Sequence, residues 1–165
     1  MTPRRILLAA IFMWCAAIVA TPLLRSLGGA GAASMLYEFF SRACHQMDSR
    51  SFHIDGNKFA VCIRCSSIYA AFFLSVLLSP VLSRRVLTSA SARVLLFVSA
   101  LPMAVDVALA AIGVHDSTDA TRLVTGAVFG FALGIILAPL LEELAAEILS
   151  RWFNFLRTTY ATKTR

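Results

Sequence analysis

Four stretches of this chain are long, apolar and almost free of charge, and no other property limits its fold so strongly. Residues 6–24, 66–83 and 123–141 contain no Asp, Glu, Lys or Arg, and residues 94–114 contain only Asp106. At about 1.5 Å rise per residue, helices of these lengths reach roughly 27–32 Å, the thickness of a bilayer's hydrocarbon core. Lipid offers the backbone no hydrogen bonds, so each run must satisfy its own amides and carbonyls as a helix. The expected fold is all-α: a polytopic four-transmembrane-helix bundle forming a single membrane domain over residues 1–165. Its spans fall at about 6–24, 62–83, 94–114 and 120–141, with an outer loop at 25–61 and a cytoplasmic tail at 142–165. Composition agrees: 59% of residues are apolar and 15% charged, against about 45–50% and 25% in soluble domains. Disorder is excluded by that apolar content, and four cysteines in 165 residues are too sparse for a disulfide scaffold.

The net charge of +6 does not point to nucleic acid, because the 15 basic residues lie between apolar runs and form no stripe. They read instead as flanks of membrane spans. With the N-terminus inside, Arg4, Arg5, Arg84, Arg85, Arg93, Arg151, Arg157, Lys163 and Arg165 are cytoplasmic. Arg25, Arg42, Arg50, Lys58, Arg64 and Arg122 then lie outside. The bias places the protein in the inner (plasma) membrane as a multi-pass protein with both termini cytoplasmic. Arg4, Arg5 and Ala20 have some look of a cleavable signal, but the run is longer than a signal core, so an uncleaved span is expected.

Within the outer loop, Gly28, Gly29 and Gly31 predict a flexible start. Ser34 is then placed to cap a short extracytoplasmic surface helix with Met35, Leu36, Phe39, Phe40 and Ala43 on its apolar face. Beyond the last span, Glu147 and Arg151 are spaced to pair, while Trp152 and Phe155 suit the membrane interface.

The chemistry lies in and beside that loop. Cys44 is followed by His45, then come His53 and the pair Cys62-Ile63-Arg64-Cys65. Thiolate and imidazole are the usual zinc ligands, and a two-residue gap lets both thiolates of such a pair reach one ion. Cys44, Cys62 and Cys65 with His45, or His53 in its place, would complete a tetrahedral site for zinc or another transition metal. Copper is an option with Met47 nearby, and an iron–sulfur cluster fits the same ligands. Covalent haem is disfavoured because Ser66, not histidine, follows Cys65. A thiol pair at a helix start beside Arg64 also suits redox work, with Cys62 and Cys65 forming a disulfide and Cys44 resolving it. Inert packing is the third reading; Cys15, mid-span, belongs to it.

A carboxylate within a span is costly unless paired, so Asp106 requires a partner. Arg122, at the head of the fourth span, is expected to bridge to it, with Arg64 as the alternative. Gly126, Gly130 and Gly134 repeat every fourth residue and allow a neighbouring helix to approach closely. His115, Asp116 and Asp119 make a weaker ligand group, better read as a solvated turn.

Cys44-His45-Gln46, then Arg50-Ser51-Phe52, then Cys62-x-Arg64-Cys65-x-x-Ile68-Tyr69 resembles a family of small prokaryotic integral membrane proteins classed as a domain of unknown function. The likeness extends to Pro102-x-x-x-Asp106 and Arg122-x-x-Thr125-Gly126-x-x-x-Gly130, and so covers roughly residues 40 to 135. Two glycines of the family pattern are Ser67 and Ala71 here. The resemblance implies that Cys44, His45, Gln46, Arg50, Cys62, Arg64, Cys65, Tyr69, Asp106 and Arg122 act together, and it implies no reaction. The sequence therefore points to a metal-binding membrane protein in the lipid bilayer. The alternatives are a membrane thiol–disulfide oxidoreductase and an accessory subunit beside other membrane proteins.

Overall fold

The computed structural model describes residues 2–82, 89–114 and 116–163. Arg84, Arg85, His115 and Arg165 lie outside the described residues, as do the side chains of Phe155, Arg157 and Lys163. The elements run α1 (Pro3–Ser26), α2 (Ala30–Ser41), a 3₁₀ turn (Asp48–Arg50), β1 (His53–Ile54), β2 (Asn57–Lys58), α3 (Ile63–Leu82), α4 (Ser89–Ala111) and α5 (Asp119–Lys163). Four of these helices are long and apolar enough to cross a bilayer, and the chain is an all-α, four-span membrane protein. Each span carries an internal proline: Pro22, Pro80, Pro102 and Pro139. Neighbouring helices and local hydroxyls make such residues tolerable within membranes.

Helix ends follow local chemistry. α1 stops where Gly28 turns to φ 85° and the Gly29 amide donates back to the Leu24 carbonyl. α4 stops the same way, with Gly113 at φ 73° and the Val114 amide on the Leu109 carbonyl. Only a residue without Cβ takes this left-handed position at no steric cost. α2 begins four residues before the expected cap: Gly29 is its N-cap, and the Ser34 hydroxyl donates within the helix to the Ala30 carbonyl. The glycines therefore start a helix directly after the α1 turn and leave no flexible lead. The buried face also differs from the expected one. Phe40 is buried and Leu36 half-buried as expected, but Met35 and Phe39 are largely exposed and Ala33 is buried in their place.

α3 and α5 make the closest pair. A Cβ on Gly126 would lie 2.7 Å from the Arg64 carbonyl oxygen, and one on Gly130 2.7 Å from the Ile68 Cα. One on Gly134 would lie 2.7 Å from the Ser75 Cβ. The small side of this seam is on α5, so Ser67 and Ala71 on α3 do not loosen it. α4 packs on α5, and α1 on both α2 and α3. At the end of the bundle away from the cysteines, Arg4 pairs with Glu142 at 3.7 Å and donates to the Leu77 carbonyl. The continuation of α5 past the apolar run carries the Glu147–Arg151 pair at 2.7 Å.

The exposed side chains along the spans are apolar, among them Phe12, Met13, Phe97, Val98 and Leu101. In water such a belt would be a large sticky surface; against acyl chains it costs nothing. A hydrophobic cluster lies under the loop, where Ile18, Phe40, Cys44, Ala60 and Val61 are buried together. Trp14 meets Phe39, Phe40 and Tyr69 there in edge-on contacts at 5.1–5.7 Å. Burying Phe40 contributes about 2 kcal/mol toward fixing α2 on α1.

Candidate functional site

Cys44 follows the last turn of α2, with its amide on the Phe40 carbonyl at 3.0 Å. Cys62 directly precedes α3, and Cys65 lies in its first turn. Packing α2 and α3 each against α1 brings the three sulfurs within 4.8 Å of one another. Cys44 is buried, the other two are half-buried, and all three are free thiols. Two backbone amides donate to the Cys44 sulfur: Gln46 at 3.5 Å and Cys62 at 3.2 Å. The second of these ties the two halves of the cluster together. The Cys65 thiol, donating to the Cys62 sulfur, does most to hold Cys62 down to about 5. Burial opposes that effect, and further hydrogen bonds from the Cys65 amide, the Cys44 thiol and the Arg64 amide add to it.

Gln46 takes φ 50°, an uncommon conformation for a residue with a Cβ, and this turns the chain back over Cys44. Three bonds hold the turn. The Gln46 amide side chain donates to the Tyr37 carbonyl at 2.7 Å, Lys58 Nζ donates to the Gln46 carbonyl at 2.7 Å, and the Tyr37 hydroxyl donates to the Lys58 carbonyl. Lys58 is delivered by the β1–β2 hairpin, in which His53 pairs with Lys58 and Ile54 with Asn57. Sequence reasoning missed this hairpin. Its signal was Asp55-Gly56, which takes φ 49° and 74°, the two left-handed positions of a tight hairpin turn.

Beside the sulfurs lies a cavity of about 220 Å³ lined by His45, Gln46, Met47, Arg50, Arg64 and Arg122 together with the three cysteines. His45 is thus at the cavity but outside the group of clustered donor atoms. His53 points away: it is exposed and sits 3.3 Å from Asp48.

Asp106 is buried and pairs with Arg64, not with Arg122 as expected. Arg122 closes instead on Asp119, one turn away on its own helix, at 3.1 Å. A neighbour three residues off on the same helix needs no further ordering of the chain, which leaves Asp106 to the longer reach from α3. Two other residues expected in the polar pocket stand elsewhere. Asp106 acts through Arg64, and Tyr69 lines an apolar groove with Cys15, Phe52, Phe59 and Leu123. In that groove the Cys15 thiol donates to the Tyr69 carbonyl at 3.7 Å, in keeping with a packing role. The three cysteines, Gln46, Arg50, Arg64 and Arg122 do come together, and Met47 joins them.

Residues 44–136 match the family described as "Predicted membrane protein (DUF2085)". The chain belongs to this family. The matched segment opens on Cys44 and runs through the Gly126–Gly130 seam, so it holds all three clustered thiols and the three arginines beside them. The uncharacterized protein MJ1492 of Methanocaldococcus jannaschii is 34% identical over 109 residues, which is 66% of this chain and 70% of that protein. No solved structure matches the chain.

Proposed function

We propose that this family member is a metal–thiolate membrane protein, with Cys44, Cys62 and Cys65 as ligands and zinc as the ion they suit best. One observation carries the reading: three sulfurs from two separate chain segments lie within 4.8 Å of one another. Tetrahedral zinc with bonds of about 2.3 Å sets its sulfurs roughly 3.8 Å apart, so small rotamer adjustments suffice. A Cys62 thiol held near 5 offers a thiolate at neutral pH, the form that binds metal. Three protein ligands leave a fourth position toward the cavity, for His45 or a water molecule. The distribution of basic residues supports termini in the cytoplasm and the thiol end facing outward.

A second reading, thiol–disulfide exchange, is favoured by the closeness of the Cys62 and Cys65 sulfurs, within 4.8 Å, and by a Cys62 thiol held down to about 5. The Cys62 thiolate would attack a partner disulfide and Cys65 would displace the mixed bond. The pair then becomes a disulfide, and its two electrons and protons leave as two partner thiols.

Elemental analysis of protein purified without chelators, run alongside alkylation and mass spectrometry, separates the two. The metal reading expects one transition-metal ion per chain, lost in Cys44→Ser, with all three thiols protected until a chelator is added. A metal-free protein carrying a reversible Cys62–Cys65 disulfide would overturn it in favour of the redox reading. Metal-free protein with inert thiols would overturn both.

A further inference from the structure

Arg50, Arg64 and Arg122 come from three different elements, yet all three line the cavity beside the sulfurs. The same three arginines wall a second cavity of about 160 Å³, completed by Val107, Ala110, Ala111 and Ser117 from the end of α4 and the turn after it. Two long helices, α3 and α5, begin here, and their first turns add partial positive charge. The described carboxylates do not balance this charge. Asp106 takes one Nη of Arg64, and Asp119, mostly exposed, takes one Nη of Arg122. Among the described residues Arg50 makes no ion pair and is exposed, while the buried Nε of Arg64 has no hydrogen-bond partner. Three guanidinium groups carry roughly fifteen N–H donors in forks matched to planar or tetrahedral oxyanions, and two carboxylates engage few of them.

We propose that the Arg50–Arg64–Arg122 face binds a small oxyanion of phosphate type, held by guanidinium forks next to the thiol cluster. The combined space equals that of roughly a dozen water molecules at about 30 Å³ each, enough for a phosphate with part of its hydration. The site lies at one end of the spans, with α4 side chains on one wall, so the phosphate can be free in solution or part of an anionic lipid headgroup. The proposal concerns the arginines and stands whichever chemistry the sulfurs perform.

The test uses the full chain in nanodiscs, with inorganic phosphate as probe, read by calorimetry together with metal content and thiol state. In phosphatidylcholine discs the wild type is expected to bind phosphate saturably near one per chain, and Arg50→Gln to bind at least tenfold more weakly. Metal content and thiol state are read on the same samples, so loss of phosphate binding with the metal retained separates this result from failure of the metal reading. Arg122→Gln should weaken binding likewise. If discs containing phosphatidylglycerol block phosphate, and that lipid co-purifies with wild type but not with Arg50→Gln, the ligand is a lipid headgroup; unblocked binding assigns a free oxyanion. The proposal is overturned if wild type neither binds phosphate saturably nor enriches anionic lipid, or if binding is unchanged in both arginine variants.

Discussion

Single residues carry the chemistry here, and their neighbours set their behaviour. Cys62 has the Cys65 thiol as a donor and the Cys44 thiol as another, so its proton leaves at about pH 5 where an ordinary cysteine holds it to about 8.5. The sign is that of a depressed acid: thiolate predominates above about pH 5, and reactivity falls as pH drops through that value. In metal-free, reduced protein, iodoacetamide alkylation of Cys62 is therefore expected to be near its plateau at pH 7. Cys65→Ala, which removes that donor, should shift the midpoint upward. A Cys62 profile that titrates near 8.5 would contradict this. Asp106 illustrates how little one residue type reveals of its partner. Its need for a cation follows from a carboxylate in an apolar run, but the choice of Arg64 over Arg122 depends on where three helices start and stop.

At the scale of elements, the close approach of α3 and α5 is what places Arg64 and Arg122 at one cavity. The seam depends on atoms that are missing: glycine at 126, 130 and 134 leaves the α3 backbone room that any side chain would take. Gly130→Leu is accordingly expected to force the helices apart, at a cost of about 1–3 kcal/mol or more. The checks are a lower melting temperature in detergent and loss of the bound metal; an unchanged melting curve would count against the seam. The spacing of these glycines is readable in the sequence, whereas the helix they face is not, since Gly-x-x-x-Gly specifies closeness without naming a neighbour. The β1–β2 hairpin was readable too, in Asp55-Gly56, but its use was not: it returns Lys58 to brace the turn at Gln46. The start of α2 shows the reverse case. A serine near the right place suggested a cap, but the Schellman turn at Gly28–Gly29 had already set the helix going.

For the whole molecule, the membrane is the missing half of the packing. Only a minority of each span's side chains is buried within the protein, and most of the spans' surface is aliphatic and exposed, so acyl chains supply the surroundings that a soluble core would provide. The inward-termini arrangement predicts that green fluorescent protein fused after Arg165 fluoresces, whereas an exported reporter such as alkaline phosphatase fused there is inactive. The opposite pair of results would turn the thiol cluster and its arginines toward the cytosol and remove the outward-facing reading.

Taken alone, the sequence determined that the chain crosses a bilayer four times, because run length and the absence of charge leave the backbone no other way to satisfy its hydrogen bonds in lipid. It also marked the three cysteines and the arginines as residues with work to do, because each is expensive or reactive where it stands. Tertiary structure alone decided that Cys44 meets Cys62 and Cys65, that His53 turns away, and that Arg64 takes Asp106. Those outcomes depend on distances between segments far apart in the chain. Such distances arise when α2 packs on α1, the hairpin closes and α5 seats on α3, and no local pattern of residues encodes them.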